Sequence, residues 1–149
     1  MGVHHGTSSA THGPVIRVRL SLTRAEARRR TRANLPPAAS IEVEALIDTG
    51  AEVTCISSDA VRRLGAAPTM LGMVNTAAMS GLAGSLEYVL DLRIPNPRGS
   101  MASELVVTDL TVYEIDLQGS NYELLLGRDV LAHCVLAFDG LTDSFTLSH

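Results

Sequence analysis

The chain has 149 residues and a hydrophobic fraction of 46%, enough for one globular domain with its own core. Its formal net charge of −4 argues against nucleic acid as the main partner. The two cysteines, Cys55 and Cys134, lie far apart without metal-ligand spacing. We therefore expect no metal, no cofactor and no disulfide, and a reducing, cytoplasmic location. No apolar stretch is continuous enough to span a membrane, so no membrane partner is expected.

The first part of the chain is predicted to contain a tail followed by a strand. Residues 1–13 are rich in Gly, Ser, Thr and His, which predicts a disordered tail ahead of a single domain at residues 14–149. Apolar and polar residues then alternate over residues 14–22, which is typical of a strand with one solvated face.

Residues 23–39 form a basic insert that contains two prolines. They carry five Arg and one Glu, and the capping-box spacing of Thr23 and Glu26 predicts a short helix. The prolines Pro36 and Pro37 end it. A charged run of this kind is most often a solvated face. The alternative is a binding surface for an acidic partner or a nucleic acid.

The next elements lead to and from one acidic residue. Alternation over Ile41–Ile47 predicts a strand that ends at Asp48. A short strand at residues 53–56 follows, and then a helix that begins at Ser57 or Ser58 and ends at Gly65.

Strands dominate the rest of the chain. Two are predicted at residues 68–78 and 82–94, and the glycines at residues 79–85 suit a mobile hairpin tip. An apolar run at residues 124–126 precedes a short helix through His133. The remaining predicted strands lie at residues 101–109, 110–117, 135–138 and 144–147. Short strands with frequent turns and two or three short helices predict a mostly-β barrel or sandwich.

Asp48 is the strongest candidate for a functional residue. A carboxylate at the end of a buried strand rarely lacks a partner or a task. Gly50 permits a tight turn and the close approach of another chain, and the Thr49 hydroxyl can fix that turn. An Asx-type turn between two strands is the structural alternative.

Three ordered features resemble the retropepsins, a family of aspartic proteases, over about residues 14–147. They are two apolar residues followed by Asp-Thr-Gly-Ala at residues 46–51, a glycine-bearing flap near residues 79–85, and an apolar run ending in Gly-Arg-Asp at residues 124–129. The resemblance implies a closed acid-protease barrel with a flap hairpin, in a homodimer. The insert at residues 23–39 departs from the family pattern.

The resemblance also implies a role for each matching residue. Asp48 is the expected catalytic acid, Thr49 locks two catalytic loops across the dimer, and Gly50 offers its backbone to the substrate. Arg128 is expected to brace the loop by pairing with Glu52, and Asp129 gives structural support. Without the resemblance, a surface arginine and an acid at a helix start explain Arg128 and Asp129. The expected substrate-binding residues are Ala51, Glu52, Cys55, Ser80, Gly81, Leu82 and Leu125.

The chemistry requires two catalytic acids, whereas the chain has a single Asp-Thr-Gly. Metal-free peptide hydrolysis needs one group to take a proton from water and another to protonate the carbonyl oxygen. Two close carboxylates divide these tasks because they do not both ionise readily. A single Asp-Thr-Gly therefore predicts an endopeptidase completed by a second copy across a two-fold axis, with residues 144–147 in the dimer sheet.

Two functions remain open from the sequence. The first is an aspartic endopeptidase that cleaves an extended peptide or protein, with apolar preference, by carboxylate-activated water. The alternative is a non-catalytic module of the same fold that dimerises or binds peptides. Serine and zinc hydrolysis are not indicated, because the sequence has neither Gly-x-Ser-x-Gly nor His-Glu-x-x-His.

Overall fold

The computed structural model describes residues 1–8, 12–75, 82–99 and 103–149, with the backbone alone at residues 72–75 and 82–83. Within these residues the chain forms ten strands and three short helices. In chain order they are β1 (Val3–Thr7), β2 (Val15–Leu22), α1 (Arg24–Arg32), β3 (Ile41–Ile47), β4 (Cys55–Ser57), α2 (Ser58–Leu64), β5 (Met70–Asn75), β6 (Leu82–Ile94), β7 (Leu105–Ile115), β8 (Leu124–Leu126), α3 (Arg128–Leu131), β9 (Val135–Asp139) and β10 (Ser144–Ser148).

Six strands close into a barrel in the order β2, β3, β8, β4, β7 and β6. The ring closes because β6 pairs with β2 as well as with β7, and β5 extends it on the outside by pairing with β6. The β3–β8 and β4–β7 pairings are parallel, and the others are antiparallel. The prediction of a mostly-β closed barrel with few short helices is therefore confirmed.

Buried and exposed residues alternate along the strands, and the buried ones form a core inside this ring. Val18 and Leu20 of β2, with Val43 and Ala45 of β3, are almost fully buried. The residues between them point outward, where Arg17 pairs with Glu44 across the two strands at 3.0 Å. The described core contains two aromatic side chains, from Tyr88 and Phe145, among aliphatic ones.

The two longer helices begin and end as their sequences predict. The Thr23 hydroxyl accepts a hydrogen bond from the Glu26 N–H and starts α1, which buries none of its residues. The Ser57 hydroxyl does the same for α2 by accepting from the Ala60 N–H. Gly65 ends α2 in the left-handed region, at φ 67°, where glycine is the preferred residue.

The prediction of a disordered tail at residues 1–13 is wrong for Val3–Thr7. This segment is strand β1, which pairs antiparallel with β10 from Val3 opposite Ser148 to Thr7 opposite Ser144. Small residues permit the pairing, since a Cβ on Gly6 would lie 2.4 Å from the ring of Phe145. A segment of this composition forms a strand because β10, which lies more than 130 residues later in the sequence, supplies its backbone hydrogen-bond partners.

A second difference concerns β7. The sequence predicts two strands that meet between residues 109 and 110, whereas one strand runs over Leu105–Ile115. Asp109 takes φ 53° at a shift of register opposite β6, and its N–H donates to Asp91 Oδ1 at 3.0 Å. The irregularity that resembles a strand end in sequence is a bulge.

The strands on either side of the predicted flap form a hairpin. β5 and β6 pair antiparallel as far as Asn75 opposite Leu82. The hairpin tip, with Ser80 and Gly81, lies outside the described residues, so the flap stays a prediction. Of the described helices, none is long and apolar enough to cross a membrane.

Candidate functional site

Asp48 stands at the end of β3, held by three backbone contacts. Its N–H donates to the Leu126 carbonyl at 3.1 Å, and its own carbonyl accepts from Ala51. Its Oδ1 accepts from the Gly50 N–H at 2.9 Å. Among the described residues, no donor reaches Oδ2. One carboxylate oxygen is thus fixed while the other remains available to water.

A buried hydroxyl joins the Asp48 loop to the loop after β8. Thr54 is fully buried, and its Oγ1 donates to Asp129 Oδ1 at 2.7 Å and accepts from the Gly127 N–H at 3.1 Å. The Thr54 N–H donates to Asp129 Oδ2 at 2.8 Å, so both oxygens of this carboxylate are bonded. Asp129 therefore fixes the loop through Thr54 in addition to accepting from the Val130 N–H at the start of α3.

Sequence reasoning missed Thr54. The available signal is a lone hydroxyl between Val53 and Cys55, in a run whose other members are apolar. A polar side chain buried in such a run must find a hydrogen-bond partner. Its partners lie 73 and 75 positions further along the chain, where no local pattern points to them.

The two loops cross each other, and backbone hydrogen bonds join them at the crossing. The Arg128 N–H donates to the Ala51 carbonyl at 2.9 Å, and the Asp129 N–H donates to the Glu52 carbonyl at 3.2 Å. A Cβ on Gly127 would lie 2.5 Å from the carbonyl carbon of Val53. Only glycine fits this crossing, because any side chain would force the two backbones apart.

The ion pair expected between Arg128 and Glu52 is present. Arg128 Nη2 lies 3.2 Å from Glu52 Oε1, and the two side chains are 55% and 83% exposed. An exposed pair of this kind contributes about 0.2–1 kcal/mol. The buried Thr54 contacts therefore hold the loop more strongly than the surface ion pair does.

Cys55 and Leu125 lie side by side on the outer face of the barrel, next to Asp48. Leu125 stands opposite Leu46 on one neighbouring strand and opposite Cys55 on the other. Leu125 is half-buried and Cys55 is buried. Burial, together with the smaller effects of the nearby charges of Asp129 and Asp48, raises the pKa of the Cys55 thiol to about 11. The thiol is therefore neutral near pH 7.

The remaining predicted site residues lie partly on the Asp48 loop and partly at the hairpin of β5 and β6. Thr49, Gly50 and Glu52 are exposed on the Asp48 loop, and Ala51 is half-buried there. Ser80 and Gly81 lie outside the described residues, and Leu82 is described by its backbone alone, so the substrate contacts expected of them stay predictions.

Two grooves of about 220 Å³ each lie away from Asp48. One runs between α1 and the segment after α2, and the other is lined by Ser58, Gly84 and Glu114 among others. Within the described part of the chain, no group of three or more His, Cys, Asp or Glu residues is placed to hold a metal ion.

Comparisons with known proteins agree with this geometry. A family model described as aspartyl protease matches residues 39–130, which include both crossing loops. A solved structure, described as a retropepsin-like aspartic protease from Rickettsia conorii, superposes with a TM-score of 0.59 at 14% identity. The superposition covers 98% of this chain and 90% of that chain, and it shows a shared fold. Among curated proteins, none matches the chain.

Proposed function

The chain belongs to the aspartyl protease family, and from this premise we propose that it is an aspartic endopeptidase of the retropepsin type. The observation that carries the proposal is the Asp48 carboxylate, fixed through Oδ1 to the Gly50 N–H and unbonded at Oδ2 among the described residues. Such a carboxylate takes a proton from water without a metal or a covalent intermediate.

One carboxylate leaves the reaction incomplete. As the water attacks the scissile carbonyl, a second group must protonate the carbonyl oxygen and then the leaving nitrogen. The chain has one Asp-Thr-Gly. The second acid in the proposal is Asp48 of a second copy, related by a two-fold axis, so that the two close carboxyl groups share one proton.

We propose that strand β9 forms the contact between the two copies. Strand β10, which includes residues 144–147, is already paired on both edges, with β1 and β9, so it has no edge to offer. Within the described residues, β1 and β9 each have one unpaired edge, and β9 is the one of the two that carries exposed large apolar side chains. Its Val135 and Phe138 are 70% and 57% exposed. An exposed apolar edge strand is a ready site for pairing with an identical strand.

The proposed substrate is an extended peptide that carries apolar side chains near the scissile bond. Leu125 and the neutral thiol of Cys55 would form the cleft floor beside Asp48. The hairpin of β5 and β6 would cover the peptide. Both cysteines are free, which supports the proposed reducing, cytoplasmic location.

The test of catalysis is Asp48→Asn, which keeps the size and the hydrogen bond to Gly50. We expect cleavage of an unstructured protein substrate to fall by about 10²–10⁴-fold, while circular dichroism and the urea midpoint stay unchanged. Saturable peptide binding without cleavage by the wild-type protein would favour the non-catalytic module instead.

Mixing wild-type and Asp48→Asn chains tests the shared site. If both acids are needed and subunits exchange freely, activity falls with the square of the wild-type fraction, to roughly a quarter in an equal mixture. If each chain acts alone, about half the activity remains, and the shared-site proposal fails.

A further inference from the structure

Three arginines form a row along one face of α1. Arg24, Arg28 and Arg32 are exposed and stand four residues apart, so their side chains follow one another along the helix. In the described part of the chain, none of the three has an ion pair or a side-chain hydrogen bond. We call these three residues the arginine face.

The contacts of Arg30 orient the helix so that this face points to solvent. Arg30 donates to the Gly65 carbonyl at 3.1 Å and to the Pro36 carbonyl at 3.3 Å, which ties α1 to the end of α2. Arg29 pairs with Glu26 at 2.8 Å. Two positions on a helix differ by about 200°, so Arg28 lies on the side opposite Arg30 and away from the barrel.

Unpaired arginines are concentrated on this helix. Elsewhere in the described residues, one further arginine, Arg98, lacks a side-chain partner. The others are paired with acids, as Arg17–Glu44, Arg19–Glu42, Arg62–Asp59, Arg63–Glu123, Arg93–Glu104 and Arg128–Glu52. Like charges four residues apart destabilise a helix. The arginine face is thus an unfavourable arrangement for the free protein that an acidic partner would relieve.

We propose that the arginine face docks an acidic segment of another protein. The row spans about 12 Å with charges about 6 Å apart. Carboxylates at alternate positions of an extended segment are about 6.6–6.8 Å apart, and those four residues apart on a helix are about 6 Å apart, so either matches the row.

Charge favours an acidic polypeptide over a nucleic acid as the occupant. The total formal charge is −4 and residues 23–39 contribute +4, so the rest of the chain carries −8 and repels a long polyanion. The segment also has no aromatic residue on which a base would stack. A short acidic segment avoids both obstacles. The helix precedes the family-matched residues 39–130, so docking does not depend on the proposed catalysis.

The test uses full-length protein carrying Asp48→Asn, so that no probe is cleaved. The probes are a fluorescent peptide with Glu at alternate positions and a fluorescent oligothymidylate of equal net charge. Fluorescence anisotropy in 50 mM NaCl gives the Kd of each. The variant is Arg24→Gln with Arg28→Gln and Arg32→Gln. The matched control, Arg17→Gln with Arg19→Gln and Arg62→Gln, removes the same charge from paired arginines.

We expect the acidic peptide to bind, and the arginine-face variant to raise its Kd about tenfold while the control changes it less than twofold. Binding should also weaken at 500 mM NaCl, since exposed charges are screened. The variant should unfold at the same or a slightly higher temperature, because it loses repulsion within α1. The proposal is overturned by equal losses in the two variants, by tighter binding of the oligothymidylate, or by no measurable peptide binding at 1 mM.

Discussion

Replacing Thr54 with Val removes one hydroxyl from the crossing of the two loops and keeps the shape of the side chain. The change deletes the bond to the Asp129 carboxylate and leaves the Gly127 N–H buried without an acceptor. Loss of a hydrogen bond to a charged group costs about 1.5–3 kcal/mol, and an unsatisfied buried donor costs about 1–3 kcal/mol.

Taken together, these losses amount to about 4 kcal/mol. The methyl group that replaces the hydroxyl returns roughly 1 kcal/mol through apolar burial. We therefore expect Thr54→Val to lower the free energy of unfolding by about 3 kcal/mol. For a protein of this size, that corresponds to a fall in Tm of about 9 °C.

The assay is urea unfolding at pH 7, followed by circular dichroism at one fixed protein concentration, because any dimer makes the midpoint depend on concentration. The matched control is Thr54→Ser, which keeps the hydroxyl and loses a methyl group, at a cost of about 1 kcal/mol. If the Val variant is no less stable than the Ser variant, the hydroxyl does not hold the loops together and the reasoning fails.

Three further predictions concern the same barrel. Gly127→Ala should prevent stable folding, because its Cβ would lie 2.5 Å from the Val53 backbone, whereas Gly140→Ala, with its nearest neighbour at 3.7 Å, should melt within about 3 °C of wild type; near-equal melting temperatures would contradict this. At pH 8 Cys134, which is half-buried, should react with iodoacetamide before Cys55, whose pKa of about 11 leaves roughly 0.1% as thiolate; faster labelling of Cys55, by mass spectrometry, would refute it. Burial and a hydrogen bond to a carboxylate raise the pKa of Tyr88 to about 12, so the folded protein keeps a proton that the unfolded chain loses above pH 10. Stability should fall from pH 10 to pH 12, and less steeply for Tyr88→Phe in urea titrations; an unchanged slope would disprove the assignment.

Where neighbouring residues decide the structure, the sequence predicted it well. Strands β2 and β3 follow from strict alternation, because each has one face on the core and one in solvent. The starts of α1 and α2 follow from Thr23 and Ser57, whose hydroxyls satisfy the first N–H groups. These signals are local, so a single chain carries them in full.

Where distant residues decide the structure, local reasoning failed or needed the family resemblance. The composition of β1 indicates disorder, and its pairing with β10 makes it a strand. The Arg128–Glu52 pair was predicted from the resemblance, since the two residues are 76 positions apart. Thr54 was missed, because its partners are as distant and no resemblance named it. Such contacts depend on how strands are ordered around the barrel, which periodicity does not encode.

The crossing of residues 54 and 127–129 also sets when the acid is organised during synthesis. A nascent chain that has emerged only as far as β7 contains Asp48 but lacks the segment that holds its loop. The sheet of β1, β10 and β9 forms later still, because Val3 pairs with Ser148 and cannot do so until that residue has been synthesised. Such high contact order implies slow folding, and it means that chains on the ribosome that have not yet emerged to residue 129 carry no organised Asp48 loop.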